Sequence, residues 1–279
     1  MYYLLGWLVG DTGKNFSRSH PWARIQLDLS RKYPQNLQLG TFVMNSVSLI
    51  GISCGRIADS PPRNRDSHGL YRWMSYFSEV FVWFHTACLG LAKNQLTSYD
   101  PVNMDWLLTA SHVSILWFLR GVADSDGTVS IRNRTVEITS EPNANLFKNL
   151  FELLGVHSRI HRSKGVGYVT MSALEAARVC IFNPEIETHR GVLLNTLAGA
   201  QTFQARWPAW LEERVADLIH EGLDPRTIRN KLLFEDGTYV KLKTLKSKIA
   251  KFTNGAGGGL SARQGKYRSL DLSLTRRTL

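Results

Sequence analysis

The stretch Trp117–Ile131 constrains this chain more than any other, reading Trp-Phe-Leu-Arg-Gly-Val-Ala-Asp-Ser-Asp-Gly-Thr-Val-Ser-Ile. Apolar residues lead in from Ser114. Gly121 and Ser125 stand four apart, which on a helix makes a stripe of small residues that a second helix can approach closely. Asp124, Asp126 and Gly127 then close the run as a helix C-terminus, with glycine in the capping place. Thr128 to Ile131 alternate as a β-strand does. An acid at the C-terminal end of a helix opposes the macrodipole. The pattern therefore calls for a compensating positive charge, and a divalent cation is the natural candidate.

The same arrangement stands at the start of the chain. In Tyr3-Leu-Leu-Gly-Trp-Leu-Val-Gly-Asp-Thr-Gly13, Gly6 and Gly10 are again four apart and an acid follows. Gly6 falls on Gly121, Gly10 on Ser125 and Asp11 on Asp126, each pair separated by 115 positions. A repeat of this length predicts two pseudo-symmetric halves.

Leu119 to Gly127 resembles the motif of the LAGLIDADG homing endonucleases, and Leu4 to Thr12 resembles a diverged first copy, with Val9 in place of the earlier acid and Thr12 in place of the final glycine. Two copies at this spacing are similar to the single-chain, two-motif members. The resemblance implies an α+β fold of two αββαββα halves, each with a four-stranded antiparallel, saddle-shaped sheet, and the motif helices at the centre. It implies that the last acid of each motif, Asp11 and Asp126, is a metal ligand, with the carbonyls of Gly10 and Ser125 completing the shell. Asp124 has no counterpart acid and reads as structural. Further catalytic candidates near the scissile phosphates are Arg31 and Ser140 after the second strand of each half, and Lys93, His189 and Arg190 after the third helix.

The chain has 279 residues, enough for more than one domain. Its net charge is +11, and residues 201–279 hold 15 basic and 8 acidic residues, so basicity rises towards the C-terminus. A pI near 9.7 with clustered lysines points to a polyanionic partner, most naturally nucleic acid. No apolar run approaches the ~20 residues that span a bilayer, and no secretory leader is visible. The expectation is an intracellular protein, cytoplasmic, nucleoid-associated or organellar. Cys54, Cys88 and Cys180 are scattered and odd in number, so reduced thiols are expected. His157 and His161 have zinc-ligand spacing for a helix. They fall in an expected strand, which would part their rings by ~13 Å and disfavours zinc.

Taken in order, the expected domains are 1–100 for the first half, 101–112 for a connector and 113–202 for the second half. In the first half, Ala23–Ser30 alternates Ile25, Leu27 and Leu29 with polar residues, a half-buried strand. Leu37–Leu49 reads as a helix, Ile52–Ala58 and Tyr71–Tyr76 as strands, and Phe77–Leu91 as a helix. In the second, Leu146, Phe147, Leu150, Leu153 and Leu154 are expected to face the core from one helix. Residues 204–252 read as a small all-α module of three short helices. Asp224-Pro225 starts the second, and the third carries Lys241, Lys243, Lys246, Lys248 and Lys251. This resembles a helix-turn-helix DNA-binding unit. Residues 253–279 form a Gly-rich basic tail, expected to be flexible.

If the two small-residue stripes pack together, Asp11 and Asp126 emerge side by side. Paired carboxylates suit Mg²⁺ or Mn²⁺, with Ca²⁺ as a substitute that binds without supporting chemistry. The polar faces of the sheets would read the major groove of double-stranded DNA over a long specific target. Candidate DNA contacts are Arg18, Arg24, Gln26, Asp28, Arg56, Arg63, Arg65, Arg72, Arg132, Arg134, Glu137, Arg159, Arg162 and Lys164. A slip of one residue would invert each facing, and Arg159 and Arg162 cannot share one face of a regular strand. The function expected is a monomeric, metal-dependent double-strand endonuclease tied to intron or intein mobility. The alternatives are a non-catalytic DNA-binding transcription regulator and an RNA-splicing maturase acting on intron RNA.

Overall fold

The structure, a computed structural model, describes residues 1–10, 12–62, 68–163, 166–203 and 206–255. Asp11, Arg63, Arg65, Lys164 and the chain beyond Gly255 lie outside the described residues. The chain divides into two compact units, Met1–Asn195 and Thr196–Leu279.

The first unit opens with α1 (Tyr2–Val9), β1 (Gly13–Phe16), β2 (Ala23–Ser30), α2 (Asn36–Ser48), β3 (Cys54–Ser60), β4 (Leu70–Ser75) and α3 (Glu79–Trp83). It then repeats itself as α4 (His112–Asp126), β5 (Gly127–Ser130), β6 (Thr135–Thr139), α5 (Ala144–Leu153), β7 (Ser158–Ser163), β8 (Val166–Ser172) and α6 (Ala173–Arg178). The sheets have matching strand orders, β1-β2-β4-β3 and β5-β6-β8-β7, and all pairs within them are antiparallel. The fold is thus α+β with two halves of one topology.

α1 and α4 pack at the centre, and the small residues are the reason. A Cβ on Gly6 would overlap the Phe118 carbonyl and lie 2.7 Å from the Val122 nitrogen; one on Gly121 would overlap the Tyr3 carbonyl and lie 3.1 Å from Gly6 Cα. The partners obey the same 115-position offset, since Tyr3 corresponds to Phe118. The contact is therefore a pseudo-twofold one, backbone against backbone, with Leu4, Leu5, Trp7, Leu8, Leu119 and Val122 buried around it.

Strand β2 buries Ile25 and Leu27 fully, as its alternation predicts. Several details depart from expectation. On α5 the buried residues are Ala144, Phe147, Leu150 and Phe151, while Leu153 is exposed, so the apolar stripe is rotated towards Phe151. The helix expected over Phe77–Leu91 is a short α3, capped by Ser78 accepting from the Val80 N–H, and continues as a π-helical turn at Phe84–Cys88. Gly127 is not in a left-handed cap. At φ −75° and ψ 141° it is extended, and α4 runs straight into β5. A Cβ there would overlap the Ala123 carbonyl, which is why a glycine fits.

α7 (His189–Gly199) begins in the first unit and crosses the division. The second unit contains α8 (Ala209–His220), α9 (Pro225–Phe234) and α10 (Leu242–Gly255). It also holds a two-residue parallel pair, β9 (Gln201–Thr202) with β10 (Thr238–Tyr239), so it is not all-helical as expected. Its core is Trp207, Leu211, Val215, Leu218, Ile228, Leu232, Val240 and Leu245. Asp224 caps α9 by accepting from the Arg226 N–H at 2.8 Å, with Pro225 at the first position. Cys54, Cys88 and Cys180 are free thiols. No helix among the described residues is long and apolar enough to cross a membrane.

Candidate active site and nucleic-acid interface

The central helix pair brings the ends of the two motifs together. A Cβ on Gly10 would stand 2.6 Å from Ser125 Cβ and 2.9 Å from Asp126 Oδ2. The half-buried carboxylate of Asp126, the last residue of α4, therefore lies against the bare backbone of Gly10. Asp11, the matching acid, is outside the described residues. Ser125 donates its hydroxyl proton to the Val122 carbonyl at 2.9 Å, within its own helix.

Asp124 has a different task. It is fully buried, and Oδ2 accepts from the Tyr3 hydroxyl at 2.8 Å and from the Asn183 N–H at 3.1 Å. Its Oδ1 is buried without a hydrogen-bond partner. Burial pushes this carboxyl up to about 6, although Arg190, Tyr3, Asn183 and Arg120 all favour the charged form. It ties α1, α4 and the segment before α7 together.

Two cations sit at the ends of the motif helices. Arg190 donates from Nη1 to the Gly127 carbonyl at 2.8 Å, reaches the Ala123 and Ser125 carbonyls at 3.4 Å, and donates from Nη2 to the Asp124 carbonyl. It thus supplies positive charge where the dipole of α4 needs it, and the helix end by itself does not require a metal ion. Lys14 donates to the Leu8 carbonyl at the end of α1 and to Thr97 Oγ1 at 3.2 Å. Burial lowers its pKa to about 8. Lys14, Tyr3 and Asn183 were not singled out from the sequence, because nothing in their spacing shows that the fold buries them here.

His189 stacks on Tyr33, centroids 4.5 Å apart and planes 13° apart, so the two halves also touch at this point. Burial, with Lys32 and Arg190 close by, holds the imidazole below its ordinary range. Arg31 is exposed and lies over the Tyr71 ring at 5.6 Å. Ser140 follows β6 and its N–H donates to the Gly167 carbonyl at 3.1 Å. Lys93 is exposed in a turn.

Strand register sorts the proposed DNA contacts. In the first sheet Ile25 and Leu27 point to the helices, so Arg24, Gln26 and Asp28 occupy the open face, with Arg72 directly opposite Asp28. Asp28 accepts from Arg72 at 3.0 and 3.2 Å and from Gln26 at 3.0 Å, forming one connected polar group. Arg24 lies over Phe77 at 4.8 Å. Arg56 pairs in register with the buried Trp73, which places it on the helix-facing side; it is bound to Asp59 at 2.6 Å. In the second sheet Thr128, Glu137, Thr170 and Arg159 form a row across the open face. Arg162 stands opposite Gly167 on the other face and pairs with Glu141 at 3.2 Å, so of the two arginines only Arg159 shares the open face. Arg18 is exposed at the β1–β2 turn; Arg132 and Arg134 lie in the β5–β6 turn, Arg134 with a left-handed φ of 54°. His157 is within 3.4 Å of Arg159 Nε, and among the described residues no three His, Cys, Asp or Glu side chains cluster as metal ligands.

On α10, Lys241, Lys243 and Lys246 lie at exposed positions at or beside its start, as does Lys251 near its end. Lys248 instead turns inward to Glu212 at 2.5 Å and lies 5.1 Å from the Trp207 ring.

Comparison with known proteins finds likenesses in sequence and in fold. The LAGLIDADG-like domain profile matches residues 114–190. No curated protein matches the sequence. Among solved structures, the homing endonuclease I-WcaI bound to its DNA recognition sequence is similar with a TM-score of 0.50 at 11% identity, covering 69% of this chain and 84% of that one. I-DmoI in complex with DNA and Mn gives 0.43 at 13% identity, covering 65% and 96%. The N-terminal LAGLIDADG domain of DUF199/WhiA gives 0.38 at 13% identity, covering 72% and 84%. At 11% identity the likeness to I-WcaI is one of fold alone. Residues 114–190, from the second motif helix through its sheet to Arg190, are thus similar in sequence to LAGLIDADG-like domains.

Proposed function

We propose that the chain is a site-specific, double-stranded DNA endonuclease of the homing type that depends on divalent metal ions. The observation that carries this reading is the meeting of Asp126 with Gly10 across the pseudo-twofold contact. Gly10 is the residue that directly precedes Asp11 in the sequence. The second motif's acid therefore lies against the residue that precedes the first motif's acid in the sequence.

The donor set fits a hard cation. Asp126 offers carboxylate oxygens, and the space against its Oδ2 is one that a Cβ on Gly10 would fill. Asp11 and Asp126, with the carbonyl of Gly10, would hold Mg²⁺ or Mn²⁺, and Ca²⁺ without chemistry. The Ser125 carbonyl was a further candidate; with the Arg190 guanidinium at 3.4 Å it is the weaker donor. When bound, such ions supply an activated water and stabilise the charge on the leaving 3′-oxygen. The protein's own part is to hold one acid per half, so that each half serves one strand.

The open faces of the two sheets suit the major groove. The Gln26–Asp28–Arg72 group presents an arginine fork already oriented by a carboxylate, and Arg159 with Glu137 offers a donor and an acceptor on the other sheet. Arg18 and the lysines of α10 suit backbone contacts, which position without reading sequence. His189, Arg31, Ser140 and Lys93 remain proposals for the phosphate surroundings. Residues 204–252 are proposed as a DNA-gripping module of helix-turn-helix type.

The test is selection of cleaved sites from a randomised duplex pool with Mg²⁺, against an EDTA control. Recovery of one long site cut in both strands is the expected result. Binding to a selected site with no cutting under any divalent metal would instead assign the chain to the non-catalytic regulators.

A further inference from the structure

The turn that carries Asp126 is held from outside its own helix. Because α4 passes directly into β5, no left-handed cap closes it; the Gly127 N–H donates to the Ala123 carbonyl, and the carbonyls after it need partners. Arg190, 64 positions further along the chain, supplies them, contacting the carbonyls of Ala123, Asp124, Ser125 and Gly127 with one guanidinium. Its Cζ lies 5.6 Å from the Phe182 ring centroid, which seats the fork.

The first half has a counterpart drawn from another place in the sequence. Lys14 caps the Leu8 carbonyl, and Leu8 is the residue that the 115-position offset sets on Ala123. Lys14 pairs in register with the buried Ile25, so it belongs to the helix-facing side of its sheet, not the open side. Its second bond, to Thr97, anchors the ammonium to the segment that follows the half's last helix. Both cations are committed to helix ends. A cation at a helix C-terminus offsets the partial negative charge there, and a fork on several carbonyls also fixes the direction of the turn.

We infer that Arg190 and Lys14 are positioning residues, one per half, that set the final turns of α4 and α1, and through the turn of α4 the aim of Asp126. This rests on the endonuclease reading above. The two halves reach the same end by different chemistry, a guanidinium in one and an ammonium in the other, so the repeat is closer in geometry than in sequence.

Because each half serves one strand, losing either cation slows one strand and spares the other. The experiment uses the full chain and a supercoiled plasmid carrying the selected site, with Arg190→Ala, Arg190→Lys and Lys14→Met under single-turnover conditions. Expected are nicked circles with Arg190→Ala and Lys14→Met, the nick lying in opposite strands and the affected strand slowed at least tenfold. Affinity for the site in Ca²⁺ should stay within about twofold, and Arg190→Lys should recover part of the rate. Hydrogen exchange in the metal-free protein gives a readout apart from activity: amides of Ser125 to Gly127 exchange faster in Arg190→Ala, while the body of α4 keeps its protection. Equal slowing of both strands, or unchanged exchange at Ser125 to Gly127, overturns the inference. Should the wild type leave every plasmid intact, the endonuclease reading fails instead, and the exchange pattern alone decides whether Arg190 holds the turn.

Discussion

The hydroxyl of Tyr3 donates to Asp124 across 2.8 Å, joining the first turn of one motif helix to the last turn of the other. That bond places a carboxyl at a fully buried position between the halves, and burial raises its pKa from 3.8 to about 6. Between those values the folded protein binds more protons at this site than the unfolded chain does. Stability contributed by Asp124 is therefore present below pH 4 and falls as pH rises towards 6, by about 3 kcal/mol from a shift of roughly two units. Asp124→Asn keeps an oxygen for Tyr3 and Asn183 and removes the titration. Urea midpoints should show the variant gaining on the wild type between pH 4 and 7; parallel pH profiles would refute this.

Backbone packing at the helix crossing leaves no room for a side chain. Gly6→Ala and Gly121→Ala each force a methyl group into a carbonyl oxygen of the opposite helix. Overpacking of this kind costs ~1–3 kcal/mol where flexible side chains can yield, and rigid backbone puts these variants at or above the top of that range. Denaturant unfolding checks it, with Gly155→Ala as a comparison: Gly155 has open space but a φ of +66°, so it should be destabilised less.

Asp126→Asn should abolish cleavage and leave binding to the selected site in Ca²⁺ nearly unchanged. The carboxylate lies at the helix end against Gly10, outside the packed core. Loss of folding, seen as a collapsed thermal transition, would make Asp126 a structural acid instead.

On α10, exposed and engaged lysines should separate. Replacing Lys241, Lys243 and Lys246 together by alanine should flatten the dependence of log affinity on log salt by about 0.9 for each phosphate that the variant no longer neutralises. Lys248→Ala should leave that slope alone and lower the melting temperature of the second unit, because its ammonium bridges Glu212 and lies near Trp207. An unchanged slope in the triple variant would remove this helix from the DNA interface.

What the amino-acid sequence determined by itself is what repeats or alternates along the chain. The 115-position offset located the helix crossing, with Gly6 and Gly121 at its centre, because close approach leaves its mark in residue size. The alternation of Ile25 and Leu27 assigned the faces of β2, and Asp224-Pro225 marked the start of α9, because pleating and capping are local. Only the tertiary structure decided which distant groups meet. Arg190 reaching four carbonyls at the end of α4, and Lys14 turning inward to the end of α1, depend on loop paths that carry no periodicity. Arg56 and Arg162 fall on the helix-facing sides because pairing register, set by the neighbouring strand, decides a residue's face. Local order comes from backbone geometry within a few residues; the environment of a charged side chain comes from whatever the fold brings beside it.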